Sequence, residues 1–303
     1  MRFKKSILIV TLYSNMVFAF NSIKYINGIR VNSGASTLKY SSKLSYAAKK
    51  HAIYLANNRE FGHNESSIKD SFYAAKPWLR IVKAGFETKA VVENITFYEP
   101  SFKASIEKLM STVYHRLAFL DTKVDTIGYA RYKGVYVYDM SNSKIASLCK
   151  SAKRVGDIAN ICKNSNLYLS RSSFAKALNQ TKRRSRDIIY YPYNNQRNVG
   201  VKLAFETPSF IKNSSSYGYP ITIHFNSANY ANVKLKEFKL FNNGKIVSGK
   251  VVTFRNDMRK KLDKNSFVFL PKRHLKHKSR YKVLFSATAN GKLSKLTWSF
   301  TTK

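Results

Sequence analysis

The spacing of apolar residues changes near residue 188, and this change restricts the folds that the chain can adopt. Before it, apolar residues recur every three or four positions, as they do in amphipathic helices. After it, short stretches rich in Val, Ile, Phe and Tyr alternate with turn residues, as they do in antiparallel sheets. A chain of 303 residues is also longer than one compact domain usually is. The sequence therefore predicts an α+β fold class with two folded domains.

The first half is predicted to be mainly helical, with one hairpin. SIKYINGIRVNSG carries a short apolar stripe, and SKLSYAAKKHAIYLANNREFG, which starts at Ser42, carries a longer one. A third stripe predicts a single helix over residues 101–120. The aromatic and β-branched stretch DTIGYARYKGVYVYDMS then predicts a hairpin that turns at Lys133-Gly134.

Residues 188–303 are predicted to form a β-sandwich of immunoglobulin-like architecture. Six or seven strand patterns occur in this part of the chain, and VKLAFE, PITIHFN and NSFVFLP are among them. Asn243-Gly244 and Asn290-Gly291 are strong hairpin signals, because Asn and Gly adopt the left-handed conformations that tight turns need.

Residues 1–22, MRFKKSILIVTLYSNMVFAFNS, have the features of a secretory signal peptide. Three positive charges precede an apolar run of about fifteen residues, and Val17 and Ala19 suit a cleavage site after Ala19. The alternative is an uncleaved anchor, although the run is shorter than the roughly 20 apolar residues of a spanning helix. We expect a mature protein that is secreted or periplasmic and has no membrane-spanning segment.

The segment 143–187 is polar and basic, and it is predicted to connect the two domains with some helix at residues 154–159. It contains both cysteines of the chain, Cys149 and Cys162. Two nearby thiols outside the cytoplasm usually pair, which predicts a disulfide bond. Two free thiols are the alternative.

The chain is strongly basic, with a formal net charge of +38 at pH 7. The excess is largest in residues 188–303, which hold 22 basic and 4 acidic side chains, whereas residues 23–142 hold 18 and 10. A surface of this kind attracts polyanions such as anionic lipids, acidic polysaccharides or nucleic acids. We expect an anionic envelope component, lipid or polysaccharide, or a protein as the partner, with nucleic acid less favoured.

Three polar residues of the first half stand out from their surroundings. His63 follows the second helix in EFGHNESS, where no apolar stripe requires it, whereas His51 lies on that stripe and is expected to be a core histidine. Glu93 lies among apolar residues in VVENITF, and a buried carboxylate needs a partner such as a histidine. His115 follows in STVYHRLAFL.

These three residues allow two kinds of chemistry. Two imidazoles and a carboxylate could hold a divalent metal such as zinc or magnesium, with His63 and His115 among its ligands. The same side chains could act as general acid and base in a hydrolase. Ser111 and Thr112 are the nearby hydroxyl groups that such a reaction could use.

The order of four motifs resembles the bacterial branch of the CAP superfamily, also called the SCP domain, which includes cysteine-rich secretory proteins, insect antigen 5 and plant pathogenesis-related proteins. The motifs are INGIRVNSG, LSYAAKKHAIYLANNREFGHNE, GFETKAVVENITF and STVYHRLAFLDTKVDTIGYA, all within residues 23–142. His115 stands twelve residues before Ile127, as the family pattern requires. Residues 188–303 are more loosely similar to the β-sandwich that many bacterial CAP proteins carry.

The resemblance implies an α-β-α sandwich for residues 23–142, with a cleft lined by two histidines and two acids. His63, Glu93 and His115 match three of these four positions. The second acid would align with Thr112, so this chain has no acid at the fourth position.

The family is associated with lipid and sterol binding, extracellular signalling and defence, and rarely with catalysis. We therefore expect a non-enzymatic binding module for lipid, glycan or protein partners at the cell envelope. One alternative is a metal-assisted hydrolase that uses the His63, Glu93 and His115 cleft. A further alternative is a basic protein in which residues 143–303 bind polyanions without help from this cleft.

Overall fold

The computed structural model describes residues 22–303. The predicted signal peptide therefore lies outside the described residues, apart from Ser22. Within the described part of the chain, no helix combines the length and the apolar character that crossing a membrane requires.

The described chain forms two compact units, and each is made of separate stretches. The first contains the residues up to Ile29 together with Thr37–Ile106 and Asp125–Arg171. The second contains Arg30–Ser36, Glu107–Val124 and Ser172–Lys303. The predicted domain boundaries at residues 142/143 and 187/188 stay predictions, because compactness does not show which stretch folds alone.

The first unit is built around a four-stranded sheet of order β1-β3-β4-β2. Strand β1 pairs parallel with β3, and the other two pairs are antiparallel. The elements up to residue 150 are α1 (residues 22–33), β1 (Lys39–Tyr40), α2 (Ser42–Asn58), α3 (Pro77–Lys83), β2 (Val91–Phe97), α4 (Phe102–Met110), α5 (Tyr114–Phe119), β3 (Thr126–Tyr132), β4 (Val135–Ser141) and α6 (Ser143–Lys150).

Helix α2 packs on one face of this sheet because its apolar stripe faces the strands. The Ser41 hydroxyl accepts a hydrogen bond from the Leu44 amide and caps the start of the helix. Ala48 and Ala52 belong to the same apolar cluster as Val137 of β4. The small side chains let the helix approach the sheet closely.

Gly128 of β3 makes that approach possible. A Cβ atom at this position would lie 2.0 Å from the Ser45 amide nitrogen and 2.2 Å from the Leu44 carbonyl carbon. Only glycine fits under the helix at this point.

The opposite face of the sheet is covered by the first turns of α4. The Phe102 ring meets the rings of Tyr129, Tyr136 and Tyr138 edge to face at 5.1 to 6.3 Å. Ser105 is hydrogen-bonded to the Tyr138 hydroxyl. Helices therefore cover both faces of the sheet, as the α-β-α expectation requires.

The segment after α6 is held to the first unit by the predicted disulfide. Cys149 in α6 is bonded to Cys162, so the prediction of a pair is confirmed. Cys162 in turn forms an isolated β-bridge with Thr88. The helix predicted at residues 154–159 is wrong, because β-bridges such as that of Ile158 with Leu169 use these backbone groups instead.

The second unit contains two facing sheets, of orders β10-β11-β7-β5 and β6-β13-β12-β8-β9. All of their strand pairs are antiparallel except β6 with β13. The elements are α7 (Arg171–Lys182), β5 (Ile188–Tyr191), β6 (Gln196–Val199), a short 3-10 turn (Ser214–Ser216), β7 (Ile221–Phe225), β8 (Val233–Asn242), β9 (Lys245–Ile246), β10 (Gly249–Thr253), β11 (Ser266–Pro271), β12 (Arg280–Ala289) and β13 (Lys292–Thr302).

Aromatic side chains join these two sheets. Phe225 and Phe267 of one sheet lie 5.8 Å from Phe285 of the other, measured between ring centroids. Both predicted Asn-Gly hairpins are present at the ends of β8 and β12, with positive φ at all four residues. The predicted strand VKLAFE is wrong, because only one isolated bridge, at Lys202, forms there. The immunoglobulin-like architecture stays a prediction.

The single helix predicted over residues 101–120 is also wrong, because the helix is interrupted between α4 and α5. The Ser111 and Thr112 hydroxyls donate to the carbonyls three residues before them, which competes with continued helix. The Glu206 carboxylate accepts the Val113 and Tyr114 amides at 3.0 Å each and so begins a new helix.

The contact at Gly128 predicts a large effect of adding one methyl group. Gly128→Ala should lower the free energy of unfolding by about 1 to 3 kcal/mol or more, because the helix or the strand has to move. Urea denaturation of the full chain measures it.

Gly28→Ala is the matched control, because nothing lies within 4 Å of an added Cβ in that helical position. It should leave stability unchanged or raise it, since alanine favours helix. Equal effects of the two substitutions would contradict the close-approach explanation.

Candidate functional site

Glu93 on β2 lies at the centre of a network of charged side chains in the first unit. Its Oε1 is 2.8 Å from His63 Nδ1, and Arg80 Nη2 donates to both carboxylate oxygens at 3.0 and 2.8 Å. The Glu93 side chain is only 2 % exposed. The prediction that this acid pairs with a histidine is confirmed, and the arginine is an additional partner.

His51 is a core histidine, as its position on the apolar stripe predicted. It is fully buried, its Nδ1 is 2.9 Å from Glu65 Oε1, and its Nε2 is 3.1 Å from the Gly62 carbonyl oxygen. A carboxylate and a carbonyl can only accept hydrogen bonds. Together these two contacts fix the orientation of the buried ring.

Arg80 comes from the short helix α3 and ties the loop before that helix to the network. Besides Glu93, its guanidinium donates to the backbone carbonyls of His63 at 3.0 Å and Ala74 at 3.3 Å. Glu65 holds the same loop from the other side by accepting the Tyr73 amide at 2.7 Å. The loop that carries His63 is therefore fixed by buried charged groups.

Asp139 is a further buried acid beside Glu93. The two residues are cross-strand partners on β4 and β2, and Asp139 is fully buried. Apart from the neighbouring Glu93 carboxyl, no hydrogen-bond partner for its carboxyl oxygens lies among the described residues. Burial, together with the negative charge of Glu93, raises the pKa of Asp139 well above its usual value.

The pKa of Glu93 is shifted in the opposite direction, below its usual value. Burial alone would raise its pKa, but the His63 hydrogen bond and the positive charge of Arg80 hold the pKa at about 2. One carboxyl of the pair is thus ionised and the other keeps its proton.

The protonated Asp139 completes the charge balance of the network. The fixed positive charge of Arg80 is already shared between the two oxygens of Glu93. A further buried carboxylate would leave an uncompensated charge, which costs several kcal/mol.

The His63 loop meets the edge strand β2 at two points. One is the His63 to Glu93 hydrogen bond, and the other is the Phe61 ring against Phe97, with centroids 4.7 Å apart. The outer surfaces of these groups face solvent, since the His63 side chain is 44 % exposed and Phe61 is 68 % exposed. An imidazole and an aromatic ring of the same loop are thus both exposed at this edge of the sheet.

His115 belongs to the second unit. Its Nδ1 lies 3.2 Å from Thr112 Oγ1 and 3.3 Å from Glu206 Oε2. The assignment of His63, Glu93 and His115 to one cleft stays a prediction.

The residues around Glu93 do not fit a metal ion at this carboxylate. Both oxygens of Glu93 already contact the guanidinium of Arg80, whose fixed positive charge would repel a cation. Among residues 22–303, no group of three or more His, Cys, Asp or Glu side chains is arranged to hold a metal. The predicted zinc or magnesium ligation by His63 and His115 stays a prediction, without Glu93 as a third ligand.

Sequence reasoning missed four charged residues that shape these sites. Arg80 and Asp139 are charged residues within apolar segments, PWLRIVK and VYVYDMS, and this is the signal that singled out Glu93. Glu65 lies two residues after His63, inside the motif EFGHNESS, and could have been found by proximity. Glu206 lies far along the chain, and no local signal connects it to His115.

Comparison with known proteins finds a match in the first half of the chain. Residues 23–140 match the family model described as CAP, the cysteine-rich secretory protein family. This part of the chain is therefore a CAP domain. No curated protein is similar in sequence.

Several solved structures are similar to part of this chain. An extracellular protein of Bacillus anthracis that contains an SCP domain matches at 16 % identity and TM-score 0.37, over 40 % of this chain and 39 % of that one. An outer surface protein of Borrelia burgdorferi matches at 21 % identity and TM-score 0.35, over 39 % of this chain and 87 % of that one. A cysteine-rich secretory protein of Staphylococcus aureus matches at 20 % identity and TM-score 0.33, over 40 % and 37 %. The match thus spans about two fifths of the Bacillus and Staphylococcus proteins.

The raised pKa of Asp139 predicts how stability depends on pH. The unfolded carboxyl releases its proton near its ordinary pKa of 3.8, whereas the folded one keeps it. As pH rises above that value, wild type should lose stability relative to Asp139→Asn by roughly 1.4 kcal/mol per pH unit, until the folded carboxyl ionises.

Urea denaturation of both proteins at pH 4, 5, 6 and 7 measures this difference. The control is Asp70→Asn, the same substitution at an exposed aspartate of the same unit, where burial cannot cause such a dependence on pH. A constant difference for Asp139→Asn would contradict the buried, protonated acid.

Proposed function

We propose that this protein is an exported, non-enzymatic binding protein that attaches to anionic components of the cell envelope. The signal-like segment at residues 1–22, the disulfide and the family's secretory character support export, either secreted or periplasmic. The basic surface supports an anionic partner.

The observation that carries this proposal is the unequal burial of acidic and basic side chains. Six of the sixteen carboxylates have buried side chains: those of Glu65, Glu93, Asp125, Asp139, Glu206 and Asp257. Of the 54 lysines and arginines, those buried among the described residues are Arg30, Arg80 and Arg116. The surface is therefore more basic, relative to its acids, than the composition alone suggests.

Part of this charge lies on the five-stranded sheet of the second unit. Exposed lysines and arginines occur on its strands, namely Lys234, Lys236 and Lys239 on β8, Arg280 and Lys282 on β12, and Lys292 and Lys295 on β13. Only Glu237 opposes them on these three strands, where it pairs with Lys239. Such a surface attracts phosphate or carboxylate groups of either a lipid or a polysaccharide.

The His63 surface of the first unit can supply contacts of another kind. Exposed aromatic rings beside a polar group are typical of ligand sites, because the ring packs on an apolar face while the polar group sets orientation. Phe61, His63 and the 76 % exposed Tyr98 supply these groups.

The hydrolase alternative has no comparable support. A hydroxyl nucleophile has to give its proton to a base. The Ser111 and Thr112 hydroxyls donate to the carbonyls of Lys108 and Leu109, and among the described residues only Thr112 Oγ1 of the two contacts a histidine, His115 Nδ1 at 3.2 Å.

The basic surface predicts salt-dependent binding to anionic material. The full-length mature protein should sediment with phosphatidylglycerol-containing vesicles or with alginate beads at low salt, and not with phosphatidylcholine vesicles or neutral dextran beads. Raising the salt to about 0.5 M should weaken binding at least about tenfold, because exposed charges are screened. The two anionic materials separate a lipid partner from a polysaccharide partner. Absence of binding to both at low salt would overturn the proposal.

Two sets of substitutions distinguish the contribution of the basic sheet to binding from that of the His63 surface. Lys234→Glu, Lys236→Glu and Lys282→Glu together should weaken low-salt binding at least about tenfold, since six units of charge change. His63→Ala with Phe61→Ala should weaken binding less and leave its salt dependence unchanged. Loss of salt dependence in the second variant would show that the charged sheet is not the main binding surface.

A further inference from the structure

We propose that the outer face of the five-stranded sheet, which points away from the sandwich core, carries a pocket for an acidic sugar unit of a polysaccharide, and that Arg280 and Lys282 bind its carboxylate. This inference rests on the proposed attachment to anionic envelope material. It adds the chemical class of the partner and the place where that partner binds. All residues that line the pocket lie in the second unit.

The register of the strands places the floor of this pocket on the outer face. Phe241 of β8, Lys282 of β12 and Ser299 of β13 are direct cross-strand partners, and such partners project from the same face of a sheet. Lys282 is exposed, and Phe241 and Ser299 are half-buried. The row next to them is buried and projects toward the core: Leu240, Val283 and Trp298. The floor therefore combines a positive charge, an aromatic ring and a hydroxyl group.

Two loops that contain asparagines border this floor on opposite sides. Beside β13, the Asn195 amide donates to the Ser299 carbonyl at 2.7 Å, and the Ser299 amide donates to Asn194 Oδ1 at 3.2 Å. Beside β8, the hairpin residues Asn243 and Gly244 line the other side. The space between the loops has a volume of about 720 Å³, which is within the range of pockets for small ligands. A sugar unit therefore fits between them.

The charged residues that line the pocket are basic. They are Arg280 and Lys282, and none of the described residues that line it is acidic. Arg280 Nη2 donates to Ser299 Oγ at 3.0 Å, which holds the guanidinium beside the floor. A guanidinium has five N–H groups, so this bond leaves others for a carboxylate, which a guanidinium can contact through two parallel hydrogen bonds. The pocket thus suits a ligand with a carboxylate.

The uncharged residues of the pocket favour a sugar over a lipid or a nucleic acid. Side-chain amides such as that of Asn243 both donate and accept hydrogen bonds, as the hydroxyl groups of a sugar require. Phe241 and Leu284 are half-buried and offer apolar surface to the C–H face of a sugar ring. A protein that enters a bilayer uses protruding apolar groups instead. Phe241 supplies one ring, whereas single-stranded nucleic acids stack several bases on several rings.

Calorimetry with a galacturonate hexamer tests the class of ligand. The full-length mature protein should bind the hexamer at about 0.15 M salt, where charges beyond about 8 Å are screened. The same hexamer with methyl-esterified carboxylates should bind at least about tenfold more weakly, because the charge is removed. Hexaglutamate has as many side-chain carboxylates but no sugar ring, and it should also bind at least about tenfold more weakly. Equal binding of hexaglutamate would show that the pocket recognises charge alone and would overturn the proposal.

Substitutions of Arg280 test the site itself, and since this side chain is exposed, its variants should fold. Arg280→Gln should weaken binding of the hexamer at least about tenfold, and Arg280→Lys, which keeps the charge but loses the planar group, at least about threefold. Phe241→Ala should weaken binding of the hexamer at least about threefold and change binding to phosphatidylglycerol vesicles less than about twofold. Arg273→Gln is the matched control, because it removes the same charge from an exposed arginine of this unit outside the pocket. It should change binding of the hexamer less than about twofold.

The outcomes distinguish this proposal from the proposed function. The protein may bind anionic vesicles or alginate at low salt and yet not bind the hexamer, or Arg280→Gln and Arg273→Gln can weaken binding of the hexamer equally. Either result makes the pocket proposal wrong and leaves attachment to the envelope in place. Binding to neither anionic material at low salt overturns the proposed function, and the pocket proposal that rests on it.

Discussion

The hydrogen bonds between Arg80 and Glu93 are the interaction on which the histidine site of the first unit depends. An ionised carboxylate that is almost fully buried needs a positive partner, and the guanidinium contacts both of its oxygens. The same guanidinium holds the backbone of the His63 loop. The pair therefore keeps Glu93 ionised and places His63 beside it in a single arrangement.

In each unit a carboxylate oxygen lies next to Nδ1 of a histidine. In the first unit Glu93 contacts His63, and in the second unit Glu206 contacts His115. The two acids differ in their own partners, because Glu93 is paired with an arginine, whereas Glu206 accepts hydrogen bonds from two backbone amides. A binding site needs side chains whose orientation is fixed by neighbouring groups, and each histidine has such a neighbour.

Much of the fold could be predicted from local patterns. The helix from Ser42, the hairpin at Lys133-Gly134 and both Asn-Gly hairpins follow from apolar spacing and turn chemistry, and the structure has all of them. The helix break between α4 and α5 could not be predicted in this way, because one of its causes, the Glu206 carboxylate, is distant in the sequence. A side chain that is distant in the sequence can hydrogen-bond to backbone amides and so end or begin a helix against the local helix propensity.

The sequence by itself indicated the CAP domain of residues 23–140, the two nearby cysteines, the basic excess and the identity of the polar residues that stand out, His63, Glu93 and His115. Each is a property of composition or of neighbours along the chain. Only the tertiary structure decided their partners and protonation, since Arg80 meets Glu93, and Asp139 keeps its proton, after burial has brought them together. Charges interact through space, and a buried group responds to whatever lies within a few ångströms of it, wherever that residue stands in the sequence.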